Sequence, residues 1–239
     1  MLRALRNAFS KPAPPPAPEL PVELLPEDLR VIQQVSPFTM TSELRLAALI
    51  KSVRHIVATN IPGDFVECGV WRGGSMMAIA LTLQNLNVHD RTLWLYDTFE
   101  GMTSPTAADV DNRGKSAAEQ MSGDIIKGCI SSFDDVQSNM ARTGYSPGRI
   151  RMIKGKVEDT IPTSAPDNIA LLRLDTDWYE STKHELIHLY PRLSLHGPLI
   201  IDDYGHWQGA RRAVDEFFAT RPILLHYIDY TGRIGIKIA

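Results

Sequence analysis

The chain is short of three things, and each shortage closes off a class of function. It holds two cysteines, Cys68 and Cys129. They could form one bridge at most, which is no disulfide framework and fits a reducing compartment. It has no surplus of positive charge: 25 Lys and Arg against 28 Asp and Glu leave a formal net charge of -3. Nothing there drives generic binding to a phosphate backbone, so nucleic acid is not an expected partner. No apolar run approaches the roughly 18 residues of a membrane span. Residues 1–10 (MLRALRNAFS) are basic and amphipathic but lack the longer apolar centre and cleavage site of a signal peptide, so a cytoplasmic protein is expected. What is there, 44% hydrophobic and 22% charged residues over 239 positions, is ordinary composition for one large domain with a substantial core.

Residues 1–35 read as a Pro-rich N-terminal arm. Seven of the 16 prolines fall within residues 11–26, a density that favours extended segments over helix. The arm is either a flexible tail or a strap on a neighbouring subunit, and the second possibility makes a homo-oligomer the expectation. From residue 36 the remainder reads as one domain. Ser42 N-caps a helix running to about residue 60, with Leu46, Leu49, Ile50, Val53 and Val57 on one face. Five strand-like runs follow, at 65–68, 92–96, 150–153, 170–174 and 198–201. Helical segments at 74–86, 131–143, 181–190 and 208–219 lie between or after them. That alternation predicts an α/β fold with a mostly parallel sheet covered on both faces. Residues 223–228 and 233–238 read as a closing β-hairpin. Residues 101–124 are polar and turn-rich and follow a strand end, so they read as a lid.

The first strand runs into a glycine turn, Phe65-Val-Glu-Cys-Gly-Val-Trp-Arg-Gly-Gly-Ser75. Gly69, Gly73 and Gly74 do not have dinucleotide-binding spacing, and Glu67 would repel a pyrophosphate. An acid there suits a cationic group such as an α-amino group, although a purely structural glycine turn reads the same way. Asp97 ends the second strand, where a carboxylate accepts both hydroxyls of a ribose or else serves as a turn residue. A ribose and an amino acid without phosphate describe S-adenosylmethionine.

Asp175 and Asp177 follow the fourth strand, and Asp202 and Asp203 follow the fifth. On neighbouring parallel strands these acids meet at one rim and repel one another unless something positive is present. Hard oxygen ligands suit Mg²⁺, with Ca²⁺ or Mn²⁺ open, and solvated loop carboxylates are the bland alternative. A metal on three aspartates would bind two adjacent acceptor hydroxyls and acidify one, with Asp177 as the candidate general base.

Taken together, these motifs resemble the macrocin O-methyltransferase family over about residues 36–239. The resemblance rests on Thr39-Met40, Phe65-Val-Glu-Cys-Gly-Val70, Tyr96-Asp-Thr-Phe-Glu-Gly-Met102, Leu174-Asp-Thr-Asp-Trp-Tyr-Glu-Ser-Thr182, Tyr190-Pro-Arg-Leu193 and Gly197 through Ile200-Ile-Asp-Asp-Tyr204. It implies a Rossmann-like class I methyltransferase fold and a metal-dependent enzyme that methylates sugar hydroxyls on natural products, with S-adenosylmethionine and Mg²⁺ as cofactors. It further implies Asp175, Asp202 and Asp203 as metal ligands and Asp177 as base. Glu67 and the Gly69 turn, with Gly73 and Ser75 behind it, would hold the methionine part of the donor, and Asp97 the ribose. Val157 and Glu158 would meet the adenine, Asp175 would border the donor, and Met40 would close over it. Two departures stand out. No His lies between His89 and His184 to act as a lid base, and Trp178 stands where metal-dependent catechol methyltransferases carry a Lys.

Further candidates are Arg72 for the donor's carboxylate, Trp178 and Tyr179 as an apolar floor under a sugar, and His206 and Trp207 as cleft walls. The expected activity is methylation of a sugar hydroxyl flanked by a second hydroxyl. A phenolic or catechol-like acceptor, or a non-catalytic donor-binding scaffold, are the alternatives.

Overall fold

The computed structural model describes residues 19–121 and 128–238. Most of the arm, residues 1–18, and the end of the lid, residues 122–124, lie outside the described residues. The central sheet contains β1 (Asp64–Cys68), β2 (Leu93–Asp97), β3 (Ile150–Lys154), β4 (Ile169–Leu174), β5 (Pro198–Ile201), β6 (His226–Tyr227) and β7 (Arg233–Ile236). They run in the order β3-β2-β1-β4-β5-β7-β6. The first five are parallel, and β7 is antiparallel to β5 and to β6.

Among the described residues the helices are α1 (Pro26–Val35), α2 (Glu43–Ala58), α3 (Gly74–Asn85), α4 (Ala117–Gln120), α5 (Phe133–Ala141), α6 (Val157–Thr160), α7 (Tyr179–Leu189) and α8 (Gln208–Phe218). One core forms where α1, α2 and α3 press Ile32, Leu49, Ile50, Met76 and Ile79 onto one face of the sheet. A second lies under α7 and α8, with Leu172, Leu186 and Val214. No helix of the described residues is long and apolar enough to cross a membrane.

Several boundaries differ from the sequence reading, and three of the differences bear on packing. The last ten residues assigned to the arm are α1, whose Val31, Ile32 and Val35 are buried in the first core and whose Asp28 pairs with Arg54 of α2 at 2.7 Å. Pro26 stands at the start of that helix, where its missing N–H costs nothing. The closing hairpin is shorter than expected, because β6 keeps two residues and Leu224 before it is 81% exposed. Finally, α7 begins at Tyr179 rather than 181. Its first N–H is capped from far away in sequence by Asp109 Oδ1 at 2.8 Å.

That contact belongs to a folded segment over residues 101–121. Between 101 and 121 the chain makes an isolated bridge from Val110 to Ser116, then α4, and a further bridge from Asp111 to Trp207. Asp109 is fully buried and also accepts the N–H of Thr106 at 2.7 Å. Gly209 makes room for it, since a Cβ there would sit 2.3 Å from Asp109 Oδ1.

Candidate active site

Strand order switches direction between β1 and β4, and ligands of open α/β sheets bind above the strand ends at such a point. The parallel ladder continues one residue past the strands. Gly69 N–H donates to Tyr96 O at 2.8 Å, Asp175 N–H to Cys68 O at 2.9 Å and Asp202 N–H to Leu174 O at 2.9 Å. This lines up Gly69, Asp97, Asp175 and Asp202 on one rim, around a cavity of about 250 Å³. Met40, Glu67, Gly69, Ser75, Asp97, Val157, Glu158, Asp175, Asp177, Asp202 and Asp203 all line it.

At one end the glycine turn wraps around Asp97. Its Oδ2 accepts the N–H groups of Val70 at 2.8 Å and Trp71 at 3.1 Å, and its Oδ1 accepts that of Phe99 at 2.8 Å. Asp97 is therefore a turn-forming residue that also faces the cleft. Gly69, at φ 79, approaches the β4 end so closely that a Cβ would lie 2.0 Å from Asp175 O. Beside the turn, Glu67 is 1% exposed. Its Oε1 is paired with Arg173, while Oε2 is buried without a hydrogen-bond partner, with Ser75 beside it. Burial pushes Glu67 up to about 8 against the pull of Arg173.

At the other end Asp175, Asp202 and Asp203 each offer an oxygen, all within 4.8 Å of one another. Three hard oxygen donors this close fit a divalent cation such as Mg²⁺. Asp175 is pushed up to about 6, chiefly by burial. Asp203 is raised well above the carboxylate range by burial and by Asp177. Asp177 has left-handed backbone at φ 69, which turns its side chain off the line of β4. Trp207 Nε1–H donates to its Oδ1 at 2.8 Å, and its own N–H donates to Asp203 Oδ2 at 3.2 Å. Burial, then the charge of Asp175, raises Asp177 to about 8.

The acids are less bare than their clustering in sequence suggests. Arg173 on β4 and Arg45 on α2 both pair with Asp202, and Arg173 also bonds Asp175 Oδ2 at 2.6 Å. The sequence reading missed both arginines. A signal existed for one of them: Arg173 and Glu67 are the single charges inside otherwise apolar stretches of two buried strands, and the register places them side by side. Glu185 was missed as well. It is fully buried beneath the loop, and its Oε1 accepts the Thr176 hydroxyl at 2.9 Å, fixing the residue between Asp175 and Asp177.

Several candidates do not reach the cleft. Gly73, at φ 87, N-caps α3 and packs toward Val136 instead of lining the cavity. Arg72 is drawn away by Asp135 at 3.0 Å and by the Pro37 carbonyl at 3.1 Å. Trp178 and Tyr179 are buried, Trp178 packing edge-on against Trp207, so neither forms an open floor. His206 meets Tyr230 and Trp207 outside the cavity. Of the cysteines, Cys129 lines the cleft and Cys68 is sealed in the core.

The chain is 35% identical over 182 residues to the demethyldecarbamoylnovobiocin O-methyltransferase of Streptomyces niveus, covering 76% of this chain and 68% of that protein. It is 35% identical over 200 residues to the 8-demethyl-8-(2,3-dimethoxy-alpha-L-rhamnosyl)-tetracenomycin-C 4'-O-methyltransferase of Streptomyces olivaceus, covering 83% and 69%. The solved structure of the O-methyltransferase NovP superposes with a TM-score of 0.75 at 33% identity, over 84% of this chain and 83% of that one. The calicheamicin methyltransferase CalS11 shares the fold at 17% identity, with a TM-score of 0.58 over 90% of this chain and 94% of that one. Residues 32–234 match the Macrocin-O-methyltransferase (TylF) family, and with its class I fold and its paired acid sites the chain belongs to that family of O-methyltransferases.

Proposed function

We propose that this chain transfers the methyl group of S-adenosylmethionine to a hydroxyl of a sugar carried by a natural product or glycan, with Mg²⁺ held by Asp175, Asp202 and Asp203. The observation that carries this reading is the single cleft, which joins a buried carboxylate oxygen lacking a partner, on Glu67, to a triad of carboxylates within 4.8 Å of one another. The first suits the donor's ammonium group and the second a hard cation. A sugar acceptor is favoured by relatives such as the one whose name places its methyl group on a rhamnosyl unit.

In this mechanism Glu67 and Ser75 hold the donor's methionine end, and Asp97 holds the ribose with the oxygen capacity left beside its backbone bonds. Val157 and Glu158 border the adenine, and Met40, 59% exposed, closes over the donor. The acceptor oxygen attacks the methyl carbon, the carbon–sulfur bond breaks toward sulfur, and S-adenosylhomocysteine leaves. The hydroxyl proton passes to Asp177, which Trp207 keeps aimed into the cleft. When bound, the metal supplies Lewis acidity that lowers the pKa of the acceptor hydroxyl. Asp177 is a stronger base than an ordinary carboxylate because of its burial. The lid, docked on α7 and α8 through Asp109 and Asp111, excludes water from the transfer.

Calorimetric titration with S-adenosylmethionine, followed by mass spectrometry of glycosylated natural products incubated with donor and Mg²⁺, tests the reading. Donor binding and one added methyl on a sugar with adjacent hydroxyls are expected. Methylation of phenols but not of sugars would overturn the acceptor class, and no donor binding would overturn the whole reading.

A further inference from the structure

One guanidinium reaches both ends of the cleft. Arg173 is 1% exposed and heads the fully buried side chains in size. Its Nη1 donates to Glu67 Oε1 and, at 2.6 Å, to Asp175 Oδ2. Its Nη2 donates to Asp202 and, at 2.6 Å, to the Thr41 hydroxyl. The acid at the donor end and two of the three carboxylates at the metal end therefore share one counter-ion. Arg45 reinforces it from α2, pairing with Asp202 and, at 3.0 Å, with Asp229. Asp177 and Asp203 pair with no cation among the described residues.

Removing an ion from water is costly unless an opposite charge meets it in good geometry. An arginine is the one side chain that keeps its charge under such burial, and its planar fork serves several carboxylate oxygens at once. We infer that Arg173 is a built-in cation that assembles Glu67, Asp175 and Asp202 before any metal arrives, and that competes with the metal for the last two. The donor end is thus complete without metal, and the metal enters a cluster whose charge is already partly balanced. Arg173 acts through the carboxylates it holds and is a positioning residue. The inference rests on the donor and metal assignments proposed above.

Calorimetry and thermal melts on the full chain, in chelator and in Mg²⁺, test it. Wild type is expected to bind S-adenosylmethionine in chelator within about threefold of its affinity in Mg²⁺. Arg173→Gln is expected to melt lower than wild type in chelator, to regain much of that loss in Mg²⁺, and to bind Mg²⁺ at least about tenfold more tightly, because a like charge a few ångströms from the metal is gone. A melting deficit of equal size with and without Mg²⁺, at unchanged Mg²⁺ affinity, would reduce Arg173 to a packing element and overturn the inference. Should Arg173→Gln fail to fold, Arg45→Gln carries the test from the better-solvated edge, its side chain being 12% exposed. The same gain in Mg²⁺ affinity, smaller in size, supports the inference, and no gain overturns it. Donor binding that appears only with Mg²⁺ in wild type also overturns it. If wild type binds neither donor nor Mg²⁺, the functional reading falls first and the inference with it. If it binds both and the variants behave as wild type, the inference alone fails.

Discussion

At the donor end of the cleft, backbone does the shaping: three N–H groups converge on Asp97, and Gly69 lets the β1 turn touch the β4 end. At the proposed metal end, five side-chain charges from α2, β4 and the two strand-end loops set the geometry. The contrast has a physical consequence. Backbone turns are specified by short local sequence and survive changes in ionic conditions. A buried charge cluster depends on every member, since removing one leaves the others uncompensated. The turn around Asp97 should therefore be the less sensitive of the two to metal removal and ionic strength, and the acid cluster the more sensitive.

The comparison can be broken most directly with Asp202→Ala. Loss of this ligand is expected to cost at least about a thousandfold in turnover, several kcal/mol of transition-state stabilisation, while donor affinity stays within about threefold by calorimetry. Loss of donor binding as well would show that the two ends are not separable. Asp177→Asn should lower kcat by roughly 10²–10⁴-fold, the range for a general base, with the donor's KM nearly unchanged. Equal falls in kcat and in donor affinity would move Asp177 out of the chemistry and into binding.

Asp97→Ala strikes the other end. It removes the ribose acceptor and strands the N–H groups of Val70, Trp71 and Phe99, so donor affinity should fall about a hundredfold, and Mg²⁺ affinity measured alone should not change. Trp207→Phe keeps an aromatic ring against Trp178 but deletes the hydrogen bond to Asp177. About a tenfold loss in kcat, with donor and metal affinities intact, is the expected outcome in steady-state assays.

The smallest effect concerns pH. Asp177 at about 8 and Asp203, raised well above the carboxylate range, bind protons in the fold that the unfolded chain has already released. Metal-free protein therefore loses stability as pH rises through the interval from the ordinary carboxylate value of about 4 toward 8. Mg²⁺ offsets that loss at high pH, and protons displace it at low pH. The rise in Tm on adding Mg²⁺ should be larger near pH 8 than near pH 5.5, by about 2–4 °C for each kcal/mol regained. A metal effect independent of pH would mean that the carboxylates are ionised in the metal-free fold.

Much of this molecule was legible before folding. The apolar runs of β1, β2, β4 and β5 and the helix after Ser42 announce themselves by period, and the acids at the strand ends are visible because apolar strands lead straight into them. Less legible were contacts between residues far apart in the chain. The cap on Tyr179 comes from Asp109, 70 residues away, so the start of α7 could not be read locally. Trp178 and Arg72 looked available for ligands because nothing in sequence shows that Trp207 buries the one or that Asp135 claims the other.

The sequence by itself determined the alternating α/β pattern, the glycine turn and the four aspartates at two strand ends, because hydrophobic period and turn chemistry act over a few residues. Only the tertiary structure decided that Arg173 and Arg45 balance two of those aspartates, Asp175 and Asp202, that Asp177 is buried and aimed by Trp207, and that residues 26–35 belong to the core. Each of those depends on burial and on charges brought within about 3 Å by the fold, and neither quantity exists until distant segments of the chain have packed.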